Sequence, residues 1–106
     1  MDANRDADRW GALADGTRLA IVARLSDGPQ AVGQLAAGLP VSRSAVSQHL
    51  KILKDAGLVE DVAAGTRRIY RLNPAALAAL RDQLDTYWHR ALAGYVDAAE
   101  APTKEE

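Results

Sequence analysis

The sequence predicts a mainly α-helical fold that carries one β-hairpin. Three observations predict it. Apolar residues recur at three- and four-residue intervals along most of the 106-residue chain. Gly and Pro interrupt that period at Gly16, at Gly28-Pro29, from Gly38 to Pro40 and at Gly57. Between Leu58 and Leu72 the period changes to short β-capable runs around a Gly turn. The length suits one domain, expected over residues 1–100, with 101–106 (Ala-Pro-Thr-Lys-Glu-Glu) expected as a disordered tail.

The first helix is expected from about Arg5 to Asp15, with Trp10, Leu13 and Ala14 on one side. Gly16 interrupts it, and Thr17 is the candidate N-cap of the next, where Leu19, Val22, Ala23 and Leu25 keep helical spacing. Gly28-Pro29 stops that helix. A short helix over Ala31 to Ala37 buries Val32, Leu35 and Ala36. Pro40 then removes a donor and drives Leu39 out of helical angles. Ser42 caps a fourth helix running to about Ala56, with Val46, Leu50 and Leu53 as its buried stripe and Gly57 just past its end. Leu58–Val62 and Arg67–Leu72 flank a turn at Ala63–Thr66 and make the hairpin. Asn73 and Pro74 are an N-cap and first-turn Pro for a last helix extending to about Ala99. The order α-α-α-α-β-β-α, two helices across a tight turn and then a hairpin, is a winged helix-turn-helix.

Thirteen basic and fourteen acidic side chains leave a net charge of −1, which taken whole argues against a polycationic nucleic-acid binder. The distribution reverses that inference. Residues 1–39 carry −1, residues 40–72 carry +3 and residues 73–106 carry −3. The positive charge falls on the helix-turn-helix and hairpin, the footprint of a phosphate-binding face. The absence of Cys excludes disulfides, thiolate metal ligands and thiol sensing. No apolar run approaches the ~20 residues of a membrane span. The first fifteen residues carry four Asp and no apolar block, so no secretory signal is expected, and a cytoplasmic location is.

On the fourth helix, Arg43, Ser44, Ser47, Gln48 and Lys51 lie opposite the buried stripe. These side chains suit DNA: Arg takes guanine bidentately, Gln takes adenine and Ser takes either. Ser42, His49 and Lys54 complete the expected contacts on this helix, and Arg67 and Arg68 at the hairpin tip reach backbone or minor groove. His49 sits at the edge of the buried stripe, so it either touches DNA or ties the helix to the scaffold.

The run Leu13–Arg18, then Val41-Ser-Arg-Ser-Ala-Val-Ser-Gln-His-Leu-Lys through Gly57-Leu58-Val59, then Gly65–Leu72, resembles the ArsR (ArsR/SmtB) family of bacterial transcription regulators over about residues 10–95. The resemblance implies a homodimeric repressor on a palindromic operator of double-stranded DNA, often its own promoter. It also implies that the first and last helices form the dimer interface. The residues agree. Among the hydrophobic residues 22 are Ala and none is Phe, so a lone core is thin. Four of five aromatics, Trp10, Tyr87, Trp88 and Tyr95, lie in the terminal helices. With Leu13, Leu84 and Leu92 they form the expected interface.

Many relatives of that family sense metals, through a Cys pair on the third helix or through Asp, His and Glu on the last. Here the third helix has no soft ligand, and the last has only His89, with Asp85 four residues before it and Glu100 eleven after. No metal site and no cofactor is expected, and any inducer stays unnamed. An enzyme is excluded, because no acid, base and nucleophile converge. The alternatives are a winged-helix module for protein or RNA, and a metal sensor using His89.

Overall fold

The structure, a computed structural model, describes residues 3–100. The expected tail at 101–106 lies outside the described residues. Eight elements follow in order: α1 Ala3–Ala12, α2 Gly16–Leu25, β1 Gln30–Ala31, α3 Val32–Ala37, α4 Arg43–Asp55, β2 Val59–Ala64, β3 Arg67–Leu72 and α5 Pro74–Glu100. The strands form an antiparallel sheet in the order β1-β3-β2. A winged helix-turn-helix is therefore present, with one strand more than expected. Gln30 and Ala31 pair with Tyr70 and Ile69. Two residues are too few to show a strand period, so only the fold reveals them.

Two boundaries differ from expectation for one reason. Asp15, not Thr17, caps α2: its backbone is extended and its Oδ2 accepts the Arg18 N–H at 2.9 Å. An Asp at the cap ends α1 early, at Ala12, where the Arg18 Nε donates to the Ala12 carbonyl at 2.7 Å. The strand β2 also runs through Ala63 and Ala64, so the turn is only Gly65-Thr66. Gly65 has φ +66° and Thr66 is not in the left-handed region, the pattern of a type II′ two-residue loop.

The other caps fall where the sequence puts them. Ser42 Oγ accepts the Ala45 N–H at 3.0 Å. At the far end of α4 the Gly57 N–H bonds the Lys54 carbonyl at 2.9 Å and the Leu58 N–H bonds the Leu53 carbonyl at 3.0 Å. That is a Schellman ending, and it needs the positive φ of Gly57 at +82°. Asn73 then joins two elements. Its Oδ1 caps α5 through the Ala75 N–H, and its Nδ2 donates to the Gly57 carbonyl at 3.1 Å.

The core is one cluster. Its fully buried large side chains are Ile21, Leu35, Val46, Leu50, Leu53 and Leu58. Ala12, Ala76 and Leu80 extend it where α1 meets α5. Past that meeting α5 leaves the domain. At 27 residues it is about 40 Å long. The molecule measures 70 × 30 × 23 Å.

Two stability outcomes follow from this packing. Leu50→Ala should cost about 2–5 kcal/mol in urea unfolding, as expected for a fully enclosed Leu. Asp15→Ala should lower the urea midpoint while Thr17→Ala leaves it in place. The opposite order would return the cap to Thr17.

Candidate nucleic-acid interface

The helix α4 divides its faces cleanly. Val46, Leu50 and Leu53 are 0 % exposed. Ser42, Arg43, Ser44, Ser47, Gln48, Lys51 and Lys54 are all exposed. Ser42 is already engaged as the N-cap. Ser44, Ser47 and Gln48 thus stand on an uncovered helical face beside the wing, with Arg43 one residue ahead of them.

The basic residues differ in their engagement. Lys51 pairs with Asp55 one turn on at 2.9 Å, both side chains well exposed, and such pairs open at little cost. Lys54 and Arg68 are held differently. Asp61 of β2 takes Lys54 Nζ on one oxygen at 2.8 Å and Arg68 on the other at 3.0 Å. The Asp61 side chain is only 6 % exposed, so one carboxylate joins α4 to the wing from within. The hydrogen bond from Lys54, then the charges of Lys54 and Arg68, hold the Asp61 carboxyl below its ordinary value near 3.8 against an opposing burial effect. Arg71 pairs across the hairpin with Glu60 at 3.0 Å. Arg67 and Arg43 make no ion pair among the described residues, and the Arg43 guanidinium rests against Gly33.

His49 is turned to the scaffold. Its Nδ1 lies 3.3 Å from an Arg18 guanidinium nitrogen and 3.8 Å from Asp15 Oδ2. The side chain is 22 % exposed. Of the two roles open for His49, the geometry favours the tie between α4 and the start of α2. The N–H of Arg18, and then the charges of Arg18 and His49, lower the Asp15 carboxyl.

The expected dimer residues separate into two groups. Trp10 and Leu13 are half-buried against their own core, and the Trp10 indole N–H donates to Gln83 Oε1 on α5. Leu84, Tyr87, Trp88, Leu92 and Tyr95 are uncovered, Trp88 at 60 % and Tyr95 at 72 %, and Val96 joins them. On the same helix His89 Nδ1 lies 2.8 Å from the Asp85 carbonyl oxygen. The side chain of Glu100 lies outside the described residues.

Sequence reasoning missed Asp61, Gly33 and Arg18. For Asp61 one signal was present, an acid beside Glu60 in a hairpin that carries three arginines, Arg67, Arg68 and Arg71. Nothing local marked the other two.

The family model for bacterial regulatory proteins of the arsR family matches residues 15–61, from the α2 cap to Asp61. The HTH-type transcriptional regulator Rv2034 of Mycobacterium tuberculosis H37Rv is 66 % identical over 96 residues, covering 90 % of each chain. The chain belongs to the ArsR family. An ArsR-like transcriptional regulator from Rhodococcus sp. RHA1 shares 36 % identity at a TM-score of 0.74, over 92 % of this chain and 95 % of that one. A homodimeric winged helix-turn-helix DNA-binding domain from Mycobacterium bovis, a possible ArsR-family regulator, shares 26 % identity at a TM-score of 0.63, over 97 % and 89 %. This ArsR-family protein is a transcriptional regulator with a DNA-binding winged helix-turn-helix, not an enzyme. Among its described residues no helix is long and apolar enough to cross a membrane.

The depressed Asp61 carboxyl makes a pH prediction. Its stabilising effect is complete above the unfolded value near 3.8 and is lost as pH falls through 3.8 and below. Asp61→Asn should therefore be less stable than the parent at pH 7 and show a flatter loss of stability from pH 5 to 3. Parallel pH profiles in urea titrations would separate Asp61 from the fold's acid sensitivity.

Proposed function

We propose that this regulator is a homodimeric, metal-independent repressor of its own or a neighbouring promoter, bound to a palindromic operator. One observation carries the proposal: Ser44, Ser47 and Gln48 form an exposed polar face on a helix whose opposite face is wholly buried, next to a basic wing. Polar donors and acceptors on a rigid helix fit the major groove, where each base pair has a distinct pattern. Arg67 and Arg68 at the wing fit backbone contact.

Pairing of two copies is supported by the uncovered stripe on α5. Leu84, Tyr87, Trp88, Leu92 and Tyr95 are too many large apolar groups to leave in water. A second α5 running alongside supplies a matching surface, and a two-fold pair places two copies of α4 on two half-sites. The homodimeric relative from Mycobacterium bovis points the same way. Metal independence is supported by donor chemistry. Cys is absent, one of two His packs against Asp15 and Arg18, and the other bonds a carbonyl of its own helix. A location in the cytoplasm goes with promoter binding.

Mobility shifts on DNA upstream of its own gene test the whole. The shift should appear equally with zinc, with EDTA and with neither; a response to zinc would replace the metal-free reading with a sensor using His89. Gln48→Ala should cost about 1–3 kcal/mol on the operator and little on random DNA. No shift on promoter DNA at physiological salt would favour a protein- or RNA-binding module. Separately, Trp88→Ala should weaken dimerisation by about 2 kcal/mol or more in sedimentation equilibrium. A parent chain that sediments as a monomer at low micromolar concentration would defeat the homodimer.

A further inference from the structure

A cleft of about 540 Å³ separates the start of α3 from the wing. Gly33 and Gln34 form one wall, Arg67 and Arg68 the other, and Arg43 stands at the first turn of α4. No Asp or Glu lines it. Three guanidiniums from two separate elements thus meet at one carboxylate-free space. Their engagement differs. Arg68 is held by Asp61 at 3.0 Å. Arg43 and Arg67 have no hydrogen-bonded or ionic partner among the described residues. Gly33 leaves the Arg43 guanidinium its seat, since a Cβ there would stand 3.3 Å from its terminal nitrogen.

Like charges on neighbouring side chains repel one another and raise the local positive potential, here at an open, solvent-exposed cleft. An anion between them reverses both effects, and guanidinium forks match phosphate oxygens better than any other side chain does. The geometry points to an anion site: the cleft takes one phosphodiester of the DNA backbone, gripped by Arg43 from α4 and Arg67 from the wing. Arg43 is then a backbone clamp, not the guanine reader its place in the sequence suggests. Base reading is left to Ser44, Ser47 and Gln48. A phosphate shared by wing and helix also fixes both on the duplex in one register. The inference rests on the DNA-binding function proposed above.

The test uses the full-length protein with a promoter duplex and a scrambled duplex, titrated by fluorescence anisotropy across a salt series. Arg43→Ala should weaken both duplexes by the same factor, on the order of tenfold. It should also reduce the slope of log K against log salt by about 1. Arg43→Lys should restore the slope but not the full affinity. Neutral methylphosphonate placed at successive positions of the promoter duplex should reveal one position that weakens the parent most, weakens Arg43→Ala and Arg67→Ala each by less, and leaves the double variant unaffected; a position felt by only one of the two arginines would overturn the shared grip. Loss on the promoter duplex alone, with the slope unchanged, would overturn the clamp and make Arg43 a base reader. A parent that binds both duplexes equally would defeat the operator reading, while the slope would still decide the clamp. A parent that binds neither at low salt would overturn both.

Discussion

Val46, Leu50 and Leu53 fasten α4 into the same buried cluster as Ile21, Leu35 and Leu58, and the placement of the DNA-reading half follows from that contact. These six are the fully buried large side chains of a core that has no Phe. They come from α2, α3, α4 and the start of the hairpin, so the cluster sets the angle between the two helices of the helix-turn-helix and the root of the wing together. Asn73 then ties the end of α4 to the start of α5 through the Gly57 carbonyl. The reading helix and the long terminal helix are thereby held by a single residue as well as by packing.

Charge does for the wing what apolar contact does for the helix. A two-stranded ribbon has little stability alone. Here β1 adds a third strand on one edge, and Asp61 anchors the other strand to Lys54. The same carboxylate also holds Arg68. The net charge of −1 conceals this arrangement, because the acids that offset the basic segment lie mostly in α1 and α5. Within the reading half, the few acids present do structural work on particular cations and leave Arg43 and Arg67 uncompensated.

What was legible in the sequence had local causes. The Ser42 and Asn73 caps, the Gly57 ending and the buried stripe of α4 each depend on residues within a turn or two, and the structure has all of them. Asp15 and Thr17 are both able caps, and only the path out of α1 chooses between them. The strand β1 depends on Tyr70 and Ile69, some forty residues away, and its two residues carry no period of their own. The candidate site shows the same division. The exposed residues of α4 could be named from helical spacing. The orientation of His49 toward Asp15 and Arg18, the joint capture of Lys54 and Arg68 by Asp61, and the seat of Arg43 over Gly33 are all meetings between distant elements. Composition places Trp10 in a terminal helix, but only the fold shows it half-buried against its own core and bonded to Gln83.

The clean division of α4 has a consequence for how such regulators diversify. Ser44, Ser47 and Gln48 contribute nothing to the buried cluster, so exchanging them alters stability only slightly. With these residues as the proposed base readers, a duplicated gene could drift through many recognition sequences without crossing a poorly folded intermediate. In the homodimer proposed here the stripe on α5 offers no such latitude, since each change there must suit a second copy of itself. Sister proteins would be expected to part first in the promoters they occupy and only later in the partners they accept.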